Sequence, residues 1–388
     1  MDSKHLLIEG WRGVNHSFAL VNQCQILELH RLSGLRLFHR DLPFAMAHWN
    51  AKSHGAGFSA ADSAVIDGLR EPAPGERVDC VLRISSPFRA EPTSPVQTLT
   101  FMVTELGLSD KSFEPGSAHS AAFTRDANLI VTPTAWSRDR LVDYGFEAGR
   151  IRIVTHGVNT DTFHPLSVAE RAGNRANLGL AEDETVFLNL GVATWNKGLD
   201  LVLMAFARLR RAGRRVRLIL KDQRGLYGIS VEQVLKDVCT RHPELFTADT
   251  LGAIQVVSVN LSQAELRLLY GIADCYVSAY RAEGFNLPVL EAIACGTPVV
   301  VTDGGATDDF CGPGVALRVA SDAGSREDRA AGMVARYREP RLDHLIECMD
   351  RFVQGSAIGH GTFESARVAL MQAMTWRRAA EDLRALIA

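Results

Sequence analysis

The stretch RAEGFNLPVLEA, Arg281–Ala292, sets two carboxylates, Glu283 and Glu291, on either side of a short apolar segment that holds a proline. Pro288 suits the first turn of a helix, where its missing N–H removes no hydrogen bond. The backbone amides from Gly284 to Leu287 then lack helical partners and are suited to phosphate oxygens. Carboxylates are acceptors, suited to the hydroxyls of a ribose or a sugar. Each acid also has a plainer explanation: an acid in a first turn is favoured by the helix dipole alone, and Glu283 could be a surface-loop residue. Neither explains both carboxylates flanking free amides at one strand end. Together they describe a site for a nucleotide-activated sugar.

Two further loops carry weaker signals. In LGVATWNKGLD, Leu190–Asp200, Lys197 stands at the start of an expected helix, against the dipole. An anion shared by the lysine and the helix end would account for it; so would an exposed lysine reaching into water. In EGWRGVNHSFA, Glu9–Ala19, Gly10 and Gly13 allow tight turns before a helix expected from Ser17, its N-cap. This has the logic of a phosphate cradle but matches neither a dinucleotide fingerprint nor a P-loop, and a plain strand–helix turn is the competing reading. Asn15 and His16 are its polar groups, and His16 could equally be a solvent-exposed cap.

The elements that must position these residues follow a regular rhythm. Short apolar runs alternate with helical patterns, which predicts parallel sheets covered by helices. Strands are expected at HLLIEG, LRLFHR, DCVLRIS, QTLTFMVTE, NLIVTPT and IRIVTHG, then at TVFLNLGV, VRLILKD, IQVVSVN, CYVSAY and PVVVTD. A polar linker near residues 160–180 separates the halves. The fold class is α/β, with two doubly wound domains facing a central cleft. Ligands of such sheets sit beyond the carboxyl ends of the strands.

A chain of 388 residues is comfortable for two cores. With 46% hydrophobic residues, 22% charged and a formal charge of −3, it has no general attraction for nucleic acid or anionic lipid. Arg208–Arg217 is locally basic and reads as a helix end. Seven scattered cysteines form no CxxC pair or metal spacing, as expected of reduced thiols in a cytosolic protein. No segment reaches transmembrane length, so any membrane contact is expected to be peripheral.

The spacing Glu283-x7-Glu291 within AEGFNLPVLEAIACGTPVV resembles the signature of retaining GT-B glycosyltransferases of the large family 4 type, the glycosyl transferases group 1. Further similarity lies in RDANLIVTPTAWSRDRLVDYGFEAGRIRIVTHGVNTDTFHP, LNLGVATWNKGLDLVLMAFARL, LSQAELRLLYGIADCYVSAYRAEGF and MTWRRAAEDLRALI. The resemblance implies two Rossmann-like domains, an acceptor side at 1–168 and a donor side at 169–370, with a C-terminal helix at 371–388 crossing back to the first. It implies that Lys197 binds the donor diphosphate and neutralises the leaving group. Glu283, Gly284 and the amides of Phe285, Asn286 and Leu287 would hold sugar and phosphates, Glu291 the ribose, and Gly13 and Gly191 the close approach to the diphosphate. It implies no metal and no cofactor beyond a UDP- or GDP-sugar type of donor, and front-face attack in which a donor phosphate oxygen takes the acceptor proton.

Two positions depart from the family pattern. Val192 stands where many members carry an arginine; Lys221 is the candidate substitute, or a strand-end surface lysine. Thr104 and Glu105 stand where many carry a histidine; Glu105 is a candidate contact to sugar or acceptor, as are Asn15 and His16. The acceptor is a hydroxyl of a glycan, glycolipid or small molecule, met by the segments 40–57 and 106–119, where Trp49 and His54 are either sugar contacts or loop packing. The expected setting is cytoplasmic polysaccharide, glycolipid or glycoconjugate synthesis, with the inner membrane face left open. The alternatives are a non-catalytic sugar-nucleotide-binding subunit and a GT-B epimerase.

Overall fold

The computed structural model describes residues 3–50, 55, 57–89, 96–115 and 128–387. His54, with the rest of 51–54, residue 56 and 116–119 of the two acceptor-side segments, lies outside the described residues. The chain packs as two compact units. Unit 1 comprises Met1–Gly157, Arg326–Ala335 and Met374–Ala388; unit 2 comprises Val158–Ser325 and Arg336–Ala373.

Unit 1 holds a six-stranded sheet in the order β2-β1-β3-β4-β5-β6. Its strands are β1 (Lys4–Gly10), β2 (Leu35–Asp41), β3 (Cys80–Ile84), β4 (Gln97–Phe101), β5 (Leu129–Thr132) and β6 (Ile151–Ile153). All neighbours are parallel, as the continuous apolar runs require of strands covered on both faces. Helices α1 (Ser17–Arg31), α2 (Ala60–Gly68) and α3 (Ala135–Tyr144) follow strands or loops of this sheet. Glu9 is paired in register with Arg40 on one side and Arg83 on the other. Its carboxylate takes a 2.9 Å bond from each guanidinium, and Arg83 is only 1% exposed. A buried arginine is tolerated here because the carboxylate lies directly across the strand.

Unit 2 holds the second sheet, in the order β12-β11-β10-β7-β8-β9, again all parallel. The strands are β7 (Thr185–Leu190), β8 (Val216–Lys221), β9 (Ile254–Val257), β10 (Cys275–Ser278), β11 (Val299–Thr302) and β12 (Ala316–Val319). The main helices are α4 (Val168–Asn177), α5 (Leu199–Arg211), α6 (Val231–Arg241), α7 (Gln263–Ile272), α8 (Leu287–Ala294), α9 (Leu342–Val353) and α10 (His360–Ala373). Val299, Val300 and Val301 are fully buried; each contributes about 1.5–3 kcal/mol to holding β11 central. Strand order reverses between β7 and β10, so the loops that follow these two strands flank the switch point where ligands of such sheets collect.

Helix α4 lies within the stretch expected to be a linker, where Ser167 and Glu170 form a capping box at its start, and further elements escape the sequence reading. β12 is only four residues long, and a two-stranded hairpin of β13 (Ser321–Asp328) and β14 (Met333–Pro340) follows it. Most of β13 is exposed, so it carries no apolar alternation to betray it. Gly332 turns the hairpin at φ +74°.

Helix α11 (Trp376–Leu386) belongs to unit 1, where it packs along α1. Gln97 Nε2 donates to Leu386 O at 2.8 Å. A Cβ on Gly157 would lie 2.0 Å from Trp376 N, so only glycine lets β6's exit fit the start of α11. Gly157 closes the first segment of unit 1, and Met374 opens its C-terminal segment.

The basic stretch is a helix end and its following strand. Arg210, Arg214 and Arg217 pair with Asp249, Asp350 and Glu184. All seven cysteines are free thiols. Among the described residues no helix is long and apolar enough to cross a membrane.

Candidate active site

β7 runs out at Leu190, and Gly191 N donates to Lys221 O at 3.2 Å, keeping the loop on the edge of β8. A single 3-10 turn, Trp195–Lys197, leads to Gly198 in the left-handed region at φ +68°. A Cβ there would meet Ala279 O at 1.8 Å. Glycine thus lets the loop after β7 press against the loop after β10. Asn196 completes the tie: its carbonyl accepts from Arg281 N at 2.7 Å and Ala282 N at 3.2 Å, and its Nδ2 donates to Ala282 O at 3.1 Å.

This joint brings two of the expected residues together. Lys197 Nζ lies 2.8 Å from Glu283 Oε2, with side chains 22% and 12% exposed. The sequence assigns these residues separate tasks; the structure makes them an ion pair. Just beyond Glu283, Asn286 is the N-cap of α8 at φ +79°, the single non-glycine residue with positive φ among those described. Its Nδ2 donates to Ser278 Oγ at 3.0 Å, so the side chain holds the turn instead of capping the helix. Among the described residues, the amides of Asn286 and Leu287 have no protein acceptor. The Phe285 ring stacks on Phe310 with centroids 4.9 Å apart, so this side chain is core. Gly284 lies between Glu283 and Phe285 in the same loop.

Glu291 sits within α8 and is half-buried. Tyr270 on α7 donates its hydroxyl to Glu291 Oε2 at 2.8 Å. Burial pushes the carboxyl up to about 7, and the tyrosine bond opposes part of that rise. Tyr276, edge-on to Tyr270 at 5.9 Å, donates to Leu190 O at 3.0 Å, linking this corner to the end of β7. Sequence reasoning passed over both tyrosines; their signal was a polar tip on otherwise apolar segments.

Lys221 is buried at the end of β8, opposite Leu190 in register. Its amine donates to Asp222 O, and burial lowers its pKa. It is therefore not an exposed strand-end lysine. Val192, half-buried in the loop after β7, brings no charge to this edge.

The candidates in unit 1 form a different environment. The α1 N-cap is His16, not Ser17: its Nδ1 accepts from Phe18 N at 3.1 Å. The imidazole is edge-on to Trp11 at 5.1 Å and tilted against Trp49 at 5.0 Å. Burial lowers its pKa to about 4, so it is neutral at pH 7. Trp49 is buried, which makes it packing. Gly13 takes φ +77°, and its N–H donates to Gln23 Oε1 at 3.0 Å. Asn15 is half-buried. Thr104 is buried, with its hydroxyl donating to Gly107 O at 2.6 Å and its N–H to Ser137 Oγ at 3.0 Å. Glu105 is half-buried, and its carbonyl accepts from Trp136 Nε1 at 2.8 Å.

Two parallel six-stranded doubly wound sheets, with this loop pair at the switch point of the second, define a GT-B fold. Residues 170–344 match the family described as Glycosyl transferases group 1. That match falls largely within unit 2. It is 33% identical over 159 residues to a D-inositol 3-phosphate glycosyltransferase from Segniliparus rotundus, a match covering 40% of this chain and 32% of that protein. The chain thus spans about a third of that relative's length, and about two fifths of the next two curated relatives. Among solved structures it is similar in fold to a glycosyltransferase from Rickettsia africae (TM-score 0.69, 14% identity, 99% of this chain and 98% of that one). It is also similar to HepE from Anabaena in complex with UDP and glucose (TM-score 0.66, 13% identity, 98% of each).

Proposed function

We propose that this protein is a retaining glycosyltransferase that moves a sugar from a nucleotide-sugar donor to an acceptor hydroxyl. One observation carries the reading: the Lys197–Glu283 pair lies just ahead of a helix N-terminus where the amides of Asn286 and Leu287 have no protein acceptor among the described residues. Lys197 takes the diphosphate and offsets leaving-group charge as it grows. The amides of Phe285, Asn286 and Leu287 hold phosphate oxygens and Glu283 turns to a sugar hydroxyl. Glu291, with one oxygen bound by Tyr270, uses the other for the ribose. Gly191 keeps the loop near the diphosphate, and Lys221 supplies part of the charge missing at Val192. In unit 1, Asn15, His16 and Glu105 serve sugar or acceptor, and Gly13 gives the first loop its backbone approach to the diphosphate. A donor phosphate oxygen takes the acceptor proton, so no protein nucleophile, metal or cofactor is called for. The Anabaena structure of similar fold holds UDP and glucose, the kind of ligand this reading needs. We place the reaction in the cytoplasm, in glycan, glycolipid or glycoconjugate synthesis, with peripheral contact to a membrane-linked acceptor as one setting.

The test is incubation with UDP-, GDP- and ADP-sugars, following thermal stabilisation and slow release of free sugar. Stabilisation by one nucleotide series with hydrolysis or transfer is expected. Stabilisation without turnover would point to a sugar-nucleotide-binding subunit, and conversion of the intact sugar nucleotide to an epimerase.

A further inference from the structure

Arg281 is the last large side chain before Glu283, and the proposed chemistry leaves it without a task. It is 5% exposed. Its Nη1 and Nη2 bond the two oxygens of Asp200 on α5 at 2.8 and 2.9 Å. Its Nε donates to Glu339 on β14 at 2.8 Å. Nη1 also donates to Trp195 O at 3.0 Å, and the guanidinium carbon lies 4.9 Å from the centroid of the Trp195 ring. The backbone is held as firmly: Arg281 N donates to Asn196 O at 2.7 Å, and Arg281 O accepts from Arg338 N at 2.8 Å. One residue thus fastens the loop after β7, the first turn of α5, the loop after β10 and the hairpin strand β14.

The fastening matters because Lys197 and Glu283 cannot place themselves. A partly exposed lysine–carboxylate pair contributes little to order on its own, since holding two long side chains offsets the attraction. The spacing of the pair must come from the two backbones. Asn196 and Gly198, the neighbours of Lys197, are the residues locked to Arg281, Ala282 and Ala279. A planar fork bonded on all its edges is stiff where a lysine would be loose.

We propose that Arg281 is the positioning residue for the Lys197–Glu283 pair, with Asp200 and Glu339 as its orienting partners. It touches neither donor nor acceptor. It sets the distance between the cation that meets the diphosphate and the carboxylate that meets the sugar, and Glu339 makes that distance depend on the hairpin. The catalytic consequence rests on the donor reading given above; the geometric claim does not.

The experiment pairs crystal structures with kinetics for Arg281→Met and Glu339→Gln, each alone and combined with Lys197→Ala. In Arg281→Met the 2.8 Å contact between Lys197 and Glu283 should open while both sheets stay in place. The kcat should fall about 30- to 100-fold, as expected for small misplacement of reacting groups, with the donor KM changing less than about threefold. Arg281→Lys should recover only a minor share of kcat. In the Lys197→Ala background Arg281→Met should lower kcat by less than about twofold, because residues acting as a unit are not additive. Should Arg281→Met fail to fold, Glu339→Gln carries the test, with an expected loss of about fivefold that vanishes in the same background. A Lys197–Glu283 contact that stays closed in the variants overturns the proposal, as does an equal kcat loss with and without Lys197. A contact that opens while turnover is unchanged leaves the positioning intact and overturns the donor roles of the pair.

Discussion

Both sheets are six-stranded and parallel, and each has a switch point with a glycine-bearing loop, yet the two corners are built in opposite ways. In unit 1 the loop after β1 closes on itself. Gly13 N is taken by Gln23, Arg12 is forked onto Asp41 at 2.9 and 2.6 Å, and Trp11, His16, Phe18 and Trp49 pack together. In unit 2 the loop after β10 leads to two amides without protein acceptors among the described residues and has an ion pair at its lip. Apolar packing fixes a surface for a partner to lie against; open amides with a paired cation and anion suit charge that develops during a reaction. The difference teaches that the shared winding supplies only the location, while the loop residues decide what can happen there.

That contrast can be broken experimentally. Lys197→Ala should lower kcat about 10²- to 10³-fold in steady-state assays, with the melting temperature little changed; a loss under tenfold would remove the charge chemistry from unit 2. Glu9→Leu should instead act on the fold. Leaving Arg83 buried beside no carboxylate should destabilise unit 1 by about 3 kcal/mol, read by urea denaturation, with nucleotide affinity of the folded protein unchanged. A weakened affinity would tie the unit 1 charge row to the donor.

Glu291 gives the pH prediction. Its folded pKa, about 7 against an ordinary 4.5, means the native state keeps a proton that the unfolded chain has released. The stability this provides is complete below about pH 4.5 and is lost as pH rises through 7. Glu291→Gln should therefore raise stability at pH 8 by about 1–3 kcal/mol and leave it nearly unchanged at pH 4. The same substitution should flatten a rise in donor KM expected as pH falls from 8 to 6. An unaltered KM profile would separate Glu291 from the ribose. The smallest effect belongs to Gln23→Ala, which frees Gly13 N. It should lower stability by about 1 kcal/mol and leave nucleotide affinity within twofold; a larger change would show that the Gly13 N–H itself meets the diphosphate.

Much of this was legible in the chain, because apolar runs, glycines and Pro288 act locally. The strands through β11 and the opening of α8 follow from them. What was not legible depends on contacts between distant segments. The Lys197–Glu283 pair needs two loops pressed together, and only the missing Cβ of Gly198 hints at it. Arg281 reads as a strand-end charge until its three bonding partners are assembled around it. Tyr270 reads as core until its hydroxyl meets Glu291. Ser17 looks the better N-cap by residue type, but it is exposed while the half-buried imidazole before it accepts the Phe18 N–H. The hairpin β13–β14 has too little buried surface to leave a pattern.

The nesting of Gly157 against Trp376 and Thr375 has a consequence for how the protein is made. Unit 1 owns a helix that is made only after the whole of unit 2. While unit 2 can complete its sheet as it emerges, unit 1 must wait with the α1 face uncovered until α11 arrives. Until then a nascent chain of this design holds unit 1 open to chaperones, and α11 acts as the latch that ends that interval.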